Sequence, residues 1–382
     1  MNFELSEDQK AIQTLARDFA VGELRPRAAK FDQEGEFIWS VIPKLASVGF
    51  MGISIAEKYG GQGLDMMSAA LVMEEISKEC GSTALTLASH NGLGTKHISY
   101  FGSEAQKQKY LPPLASGKKL SAWALTEPGS GSDASGMKTR AELNGSDWIL
   151  NGSKAFITQG SVGDTYVVLA LTEPEKKQKG VSAFIVEKGM PGFTAGKPED
   201  KLGCRASDTS TLSFDNVKIP RENMIGELNS GFIDTLKILD QGRVIIGAMA
   251  LGLGSAALRE SVKYSKEREQ FGKPIAEFQA IQWKIANMST ELEAARLLVY
   301  RAAYLHSKGE RATLESSMAK LFASEAAARA CNEAIQIHGG YGYIKEYPVE
   351  RYWRDNKICE IGEGTSEVQR MVIARQVLAA VA

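Results

Sequence analysis

Net charge is almost missing from this chain: 45 lysines and arginines stand against 46 aspartates and glutamates, a balance of −1. No global field therefore draws it to nucleic acid or to an anionic membrane. Cysteine and histidine are scarce, with four of each. Cys80, Cys204, Cys331 and Cys359 are too widely separated to form a metal-ligand or redox motif. No metal site is expected, and free thiols in a reducing compartment fit best. His338 has no partner at catalytic or ligand spacing and reads as structural. No run is long and apolar enough to span a bilayer. Met1-Asn2-Phe3-Glu4-Leu5 lacks the basic-then-apolar pattern of a signal or transit peptide. The expectation is a cytoplasmic protein, or one processed into a mitochondrial matrix. Internal repeats and low-complexity segments are also absent.

What is present falls into three zones, and 382 residues are too many for one simple core. Residues 1–120 read as helical. Ser6 and Gln9 have the spacing of a capping box, with Ile12, Leu15 and Phe19 following at helical steps. Gly60-Gly61-Gln62-Gly63 breaks the chain before a helix at Met66 to Ser77, and Leu111-Pro112-Pro113 is expected to end another. Residues 121–225 hold short segments rich in β-branched and aromatic residues. Turn signals at Asn144-Gly145 and Asn151-Gly152 separate them, the second placed as in a hairpin. Residues 226–382 return to long helices. Phe278, Ile281, Ile285, Met288, Leu292, Ala295, Val299 and Ala302 form one apolar seam, as in a bundle. Another helix, Thr313 to His338, should stop at Gly339-Gly340. The fold class is mainly α with a small inserted β domain.

Near the C-terminus, Ile361-Gly362-Glu363-Gly364-Thr365-Ser366-Glu367 sets a carboxylate between two glycines. Glycine on each side lets a ligand approach the backbone closely. Ser366 with Gln369 has the pattern of a capping box for the next helix. Glu363 at such a loop fits either a base or a solvated glutamate favoured by the helix dipole. Three further segments are ambiguous in the same way when read singly. Leu125-Thr126-Glu127-Pro128-Gly129-Ser130-Gly131-Ser132-Asp133 exposes backbone N–H groups suited to an anion or a polar ring edge, or is an ordinary turn. It lacks the strand-to-helix setting of a dinucleotide fingerprint. Arg268-Glu269-Gln270-Phe271-Gly272 closes one helix and Gln279 opens the next. Gln336-Ile337-His338-Gly339-Gly340-Tyr341-Gly342-Tyr343 is a glycine-rich helix exit.

Taken in order, with Phe156-Ile157-Thr158 between them, these motifs resemble the acyl-CoA dehydrogenase family over essentially the whole chain. The resemblance implies a helical, β-barrel, four-helix-bundle architecture and FAD chemistry on an acyl-CoA thioester. Glu363 would remove the pro-R α-proton while the β-hydrogen leaves as hydride to the flavin, giving a trans-2-enoyl-CoA. An α-proton of a thioester is a weak acid, so the carbonyl must be polarised as enolate charge develops. In the family the donors are the glutamate's own backbone N–H and a ribityl hydroxyl. The base needs a value raised by a dry pocket, against the pull of the helix N-terminus.

By the same resemblance, the segment Trp123 to Ser132 contacts the flavin, with Leu125 and Thr126 at the ring edge and Ser132 also near substrate. Phe156, Ile157 and Thr158 lie beside the ring, with phenylalanine where many relatives have tryptophan. Arg268, Phe271 and Gln279, with Gln336, Gly339 and Gly340, would reach the FAD of a neighbouring subunit. Thr365 and Glu367 complete the cofactor contacts. Asp240 and Arg243 would meet the CoA part of the substrate, and Gly364 would admit the thioester. Sharing FAD in this way implies a homo-oligomer, most simply a homotetramer. The implied electron acceptor is an electron-transfer flavoprotein. Gly362 stands where medium-chain and many short-chain members have an aromatic residue. Either it widens the pocket for a short branched or cyclic acyl group, or it is a tolerated variant. An enoyl-CoA reductase, an acyl-CoA oxidase and a catalytically silent scaffold are the alternatives.

Overall fold

The computed structural model describes residues 4–380, so Met1–Phe3, part of the stretch read for a leader, lie outside the described residues. Seven helices come first: α1 (Glu7–Phe19), α2 (Ala28–Glu34), α3 (Ile42–Ser47), α4 (Met66–Ser77), α5 (Gly81–Ser89), α6 (Thr95–Phe101) and α7 (Glu104–Ala115). The Ser6 capping box is present, with Ser6 Oγ accepting from Gln9 N–H at 3.2 Å and Gln9 Oε1 accepting from Ser6 N–H at 3.1 Å. Ile12 and Phe19 pack on the core, whereas Leu15 stays exposed. Pro112 and Pro113 do not end α7; they sit in its last turn, and the helix runs on to Ala115. A proline there removes N–H donors without breaking the remaining turn.

The strands are β1 (Ser121–Ala124), β2 (Arg140–Asn144), β3 (Asp147–Thr158), β4 (Thr165–Leu171), β5 (Val181–Glu187), β6 (Phe193–Ala195), β7 (Thr209–Pro220) and β8 (Met224–Ile225). They form one sheet in the order β6-β7-β3-β2-β4-β5-β8, with β1 parallel to β4. β4 is buried on both faces, which its unbroken apolar run requires. Val167, Leu169 and Leu171 pack with Ile98, Tyr110 and Leu114 of the N-terminal helices. Tyr166, Val168 and Ala170 face Trp148, Phe184 and Phe214 inside the sheet. Asn144-Gly145 turns β2 into β3 as expected. Asn151-Gly152 makes no hairpin: β3 runs through it with a shift in register against β7. Gly152 is needed at φ +144°, where a Cβ would lie 2.6 Å from Thr139 Oγ1.

The chain ends in α8 (Gly231–Glu267), a short hairpin β9 (Glu269–Gln270) and β10 (Lys273–Pro274), then α9 (Gln279–Ser307), α10 (Thr313–His338), α11 (Val349–Ile361) and α12 (Ser366–Ala379). The seam of α9 faces inward, with Met288, Leu292, Ala295, Val299 and Ala302 buried in a core shared with α4, α8 and α10. One expectation needs correcting here. α8 is long and apolar enough to cross a membrane, with a mean hydropathy of 1.3 in its most apolar window, but 83% of that window is buried inside the protein. Its apolarity belongs to a central core helix wrapped by others. All four cysteines are buried and unbridged, and burial pushes each thiol up.

Candidate active site

Helix α11 stops at Gly362, and the chain turns through Glu363 and Gly364 before α12 begins. Glu363 has φ +55° and Gly364 φ +93°, two left-handed residues in succession. For a glutamate that conformation is costly, and it persists only where the surroundings hold it. Three donors do so. Gln369 Nε2 gives hydrogen bonds to the carbonyls of Glu363 at 3.2 Å and Gly364 at 2.8 Å, and Lys320 Nζ donates to the Gly364 carbonyl at 2.7 Å. The N-cap is Thr365, whose Oγ1 accepts from Val368 N–H at 3.3 Å, not Ser366 as the sequence pattern suggested. Gln369 is drawn to the turn's carbonyls, so the capping shifts one residue back.

The Glu363 carboxyl points onto α8 where Gly242 leaves room. A Cβ at Gly242 would sit 1.9 Å from Glu363 Oε2. That oxygen is buried and has no hydrogen-bond partner among the described residues. Burial pushes the carboxyl up to about 7, while Lys320 and Arg243 pull it down. Of the opposing influences expected from sequence, the dry pocket wins. A carboxyl poised near neutral pH, unpaired and facing a cleft, is equipped to take a proton.

The cleft measures about 1120 Å³ and opens between the sheet and the C-terminal helices. It exceeds an ordinary single-ligand pocket of roughly 300–1,000 Å³, leaving room for a cofactor beside a substrate. Glu363, Gly364 and Thr365 form one wall; Trp123, Leu125, Thr126 and Ser132 come from β1 and the following loop. Phe156, Ile157 and Thr158 come from β3, and Arg243 from α8. Phe156 sits at a register shift with φ +57°, which turns its ring out of the ladder and leaves it 68% exposed. Behind the loop lies a buried ion pair. Lys154 Nζ meets Glu127 Oε1 at 2.8 Å and donates to the Leu125 carbonyl at 3.0 Å. The Glu127 carboxylate also accepts from the N–H groups of Lys138 and Thr139. Burial lowers the Lys154 ammonium to about 8 although Glu127 raises it. This pair shapes the Glu127 to Asp133 loop from beneath.

Not every candidate residue reaches this cleft. Asp240 is turned away toward Arg243 Nη1 at 2.7 Å and Thr313 Oγ1 at 2.5 Å. Its carboxylate orients the arginine and does not line the cavity. Glu367 is exposed on the first turn of α12 and also lies off the cleft wall. Arg268, Gly339 and Gly340 line a separate, open cleft of about 560 Å³ beside the β9–β10 hairpin. His338 lines it too, its ring stacked on Tyr264. Phe271 is 94% exposed nearby, and Gln279 and Gln336 are exposed, lining neither cavity. Among the described residues no group of histidine, cysteine and carboxylate side chains is placed to hold a metal.

Three contributors escape a reading of sequence alone. Lys320 is 44 positions from Gly364, and Gly242, although it sits in the Asp240-Gln241-Gly242-Arg243 motif, gives no sign in sequence of its place against Glu363. The Glu127–Lys154 pair spans two segments, although Glu127 sits inside a recognised motif.

Comparison with known proteins settles the family. Residues 6–118, 122–217 and 229–378 match the N-terminal, middle and C-terminal domains of acyl-CoA dehydrogenase. The chain belongs to the acyl-CoA dehydrogenase family. It is 49% identical over 379 residues to the probable acyl-CoA dehydrogenase YngJ of Bacillus subtilis, covering 99% of this chain and 100% of that one. It is 47% identical to the caffeyl-CoA reductase-Etf complex subunit CarC of Acetobacterium woodii, covering 98% and 99%. The solved butyryl-CoA dehydrogenase of Megasphaera elsdenii superposes with a TM-score of 0.97 at 46% identity, covering 99% and 100%. The protein is thus a flavin-dependent oxidoreductase whose cofactor is FAD. The residues present fit that group: a large cleft, an exposed aromatic ring on one wall and a buried, unpartnered carboxylate on the other.

Proposed function

We propose that this acyl-CoA dehydrogenase oxidises a short, branched or cyclic acyl-CoA thioester across its α,β bond, with Glu363 as the base. The observation that carries the reading is the Glu363 carboxyl, buried, unpartnered at Oε2 and raised to about 7 on the wall of the large cleft. Glu363 accepts the α-proton, and the C–H electron pair left behind becomes the new C=C bond as the β-hydrogen departs with its own pair. FAD, when bound, supplies the acceptor for that hydride. Trp123, Leu125, Thr126, Phe156, Ile157 and Thr158 would hold the flavin, and the fixed turn at Gly364 presents the Glu363 N–H as a donor to the thioester carbonyl. Arg243, lowered by burial but steadied by Asp240 at 2.7 Å, sits close enough to favour the ionised base.

The substrate class draws support from Gly362. Its φ of −67° makes no demand for glycine, and a Cβ there would meet only the Ile358 carbonyl at 3.3 Å and its side chain at 3.8 Å. The missing side chain therefore leaves space without serving the backbone. Likeness to a butyryl-CoA dehydrogenase supports a short acyl group. The likeness to a caffeyl-CoA reductase subunit favours a second reading, reduction of an enoyl-CoA by the same residues, and supports an electron-transfer flavoprotein as partner. The second cleft at Arg268, Gly339 and Gly340, with Phe271 projecting beside it, supports a homotetramer in which each subunit reaches its neighbour's FAD. Buried, unbridged cysteines support a reducing compartment, the cytoplasm or an organelle matrix.

An anaerobic panel of straight, branched and cyclic acyl-CoAs tests the proposal. Short or branched members should bleach the flavin of the purified yellow protein; bleaching by none of them would overturn it. The panel's enoyl-CoA counterparts, added to dithionite-reduced enzyme, test the reverse direction.

A further inference from the structure

We infer that Lys320 is a positioning residue for this reaction: its ammonium clamps the turn that carries Glu363 and brings a buried positive charge to it. The inference rests on the dehydrogenase reading above. Lys320 lies in the N-terminal third of α10 with its side chain wholly buried. Among the described residues it makes no ion pair, and its hydrogen bond goes to the Gly364 carbonyl. A buried ammonium without a carboxylate partner is expensive, and a residue that merely filled space would be apolar. What Lys320 gains is the carbonyl between Gly364 and Thr365, at the end of two successive left-handed residues. Gln369 holds the same carbonyl and the one before it. Together the two side chains hold both peptide planes that follow Glu363, and so the direction in which its carboxyl leaves the backbone.

The charge matters as well as the bond. Lys320 from α10 and Arg243 from α8 are the cations acting on the Glu363 carboxyl. Arg243 is already engaged by Asp240 at 2.7 Å. Lys320 feels Cys359 and Glu360 of α11, Glu363 itself and Arg243, and Glu367 of α12 feels it in turn, but none of these groups pairs with it. Its field on Glu363 is therefore the less cancelled of the two. Burial lowers the ammonium to about 8, still above the carboxyl's value of about 7, so the lysine is mostly charged at the midpoint of the Glu363 titration.

The test uses the FAD-loaded enzyme and anaerobic stopped-flow reduction by the acyl-CoA that reduces the wild type best, from about pH 5.5 to 9. Lys320→Gln keeps a donor and loses the charge; it should retain FAD, slow reduction about tenfold at neutral pH, and move the acidic limb of the rate profile to higher pH. Gln369→Leu removes part of the clamp without touching charge; it should slow reduction with the limb unmoved. A Lys320→Gln enzyme whose limb stays at the wild-type position overturns the inference. If the lysine variant loses its FAD, Gln369→Leu decides, and an unchanged reduction rate there overturns the clamp. A wild type reduced by no acyl-CoA would instead indict the dehydrogenase reading itself.

Discussion

Replacing Glu363 by glutamine should stabilise the folded protein, but only at pH values where the carboxyl is ionised. The group moves from an ordinary value of 4.5 up to about 7, with burial as the leading cause. Its folded value lies above its unfolded one, so the native state binds the proton more tightly. At pH 5 the buried carboxyl is neutral and little is lost. Stability falls as pH rises from 4.5 through about 7, and above that the whole penalty applies. At ~1.4 kcal/mol per pH unit, the rise from 4.5 to about 7 corresponds to an upper bound of ~3.5 kcal/mol. Relaxation of the turn and water entry reduce this to ~1–3 kcal/mol. A neutral amide of the same shape escapes it. At ~2.1 cal/mol/K per residue over 382 residues, the expected gain in Tm at pH 8.5 is about 1–4 °C, becoming small at pH 5. Scanning calorimetry of wild type and variant, at matched FAD loading and protein concentration, measures it. A gain equal at both pH values, or a loss at both, would refute the burial of a chargeable base as the cause.

Three other perturbations have clear directions. Glu127→Gln strands the buried Lys154 ammonium, whose side chain has no exposure, and should cost ~3–5 kcal/mol, seen as a fall in Tm with loss of FAD. Gly242→Ala should favour α8 locally, yet its Cβ lies 1.9 Å from Glu363 Oε2, so flavin reduction should slow at least about tenfold with FAD content intact. Phe156→Ala removes the exposed ring from the cleft wall; at ~1 kcal/mol for a stacked aromatic, FAD should dissociate about fivefold more readily in equilibrium dialysis.

Much of the fold was legible because local chemistry and global packing agree. The Ser6 capping box, the Gly339-Gly340 stop of α10 and the seam from Met288 to Ala302 each follow from spacing within one segment. Where long-range packing decides, spacing misled. Asn151-Gly152 resembles a hairpin turn, but β7 pairs along both sides of it and turns it into an irregularity within β3. Helix α8 carries a long apolar stretch because α4, α5, α6, α9, α10 and α11 all pack against it, which a linear search for periodicity does not reveal. Glu363 stood out through its glycine neighbours, yet the features that make it a poised base come from elsewhere. Lys320 and Gly242 belong to other helices, and nothing local ties either of them to Glu363. Asp240 is grouped with the substrate contacts by resemblance, and the structure shows its carboxylate bonded to Arg243 one helical turn away.

The central claim is that Glu363 takes the α-proton. Anaerobic stopped-flow mixing of butyryl-CoA, or the best acyl-CoA of the panel, with wild type and with Glu363→Gln tests it most directly. The account predicts rapid bleaching of the wild-type flavin, and a variant that keeps FAD and binds the thioester but bleaches about 10²–10⁴-fold more slowly. Full reduction of the glutamine variant at the wild-type rate would contradict it.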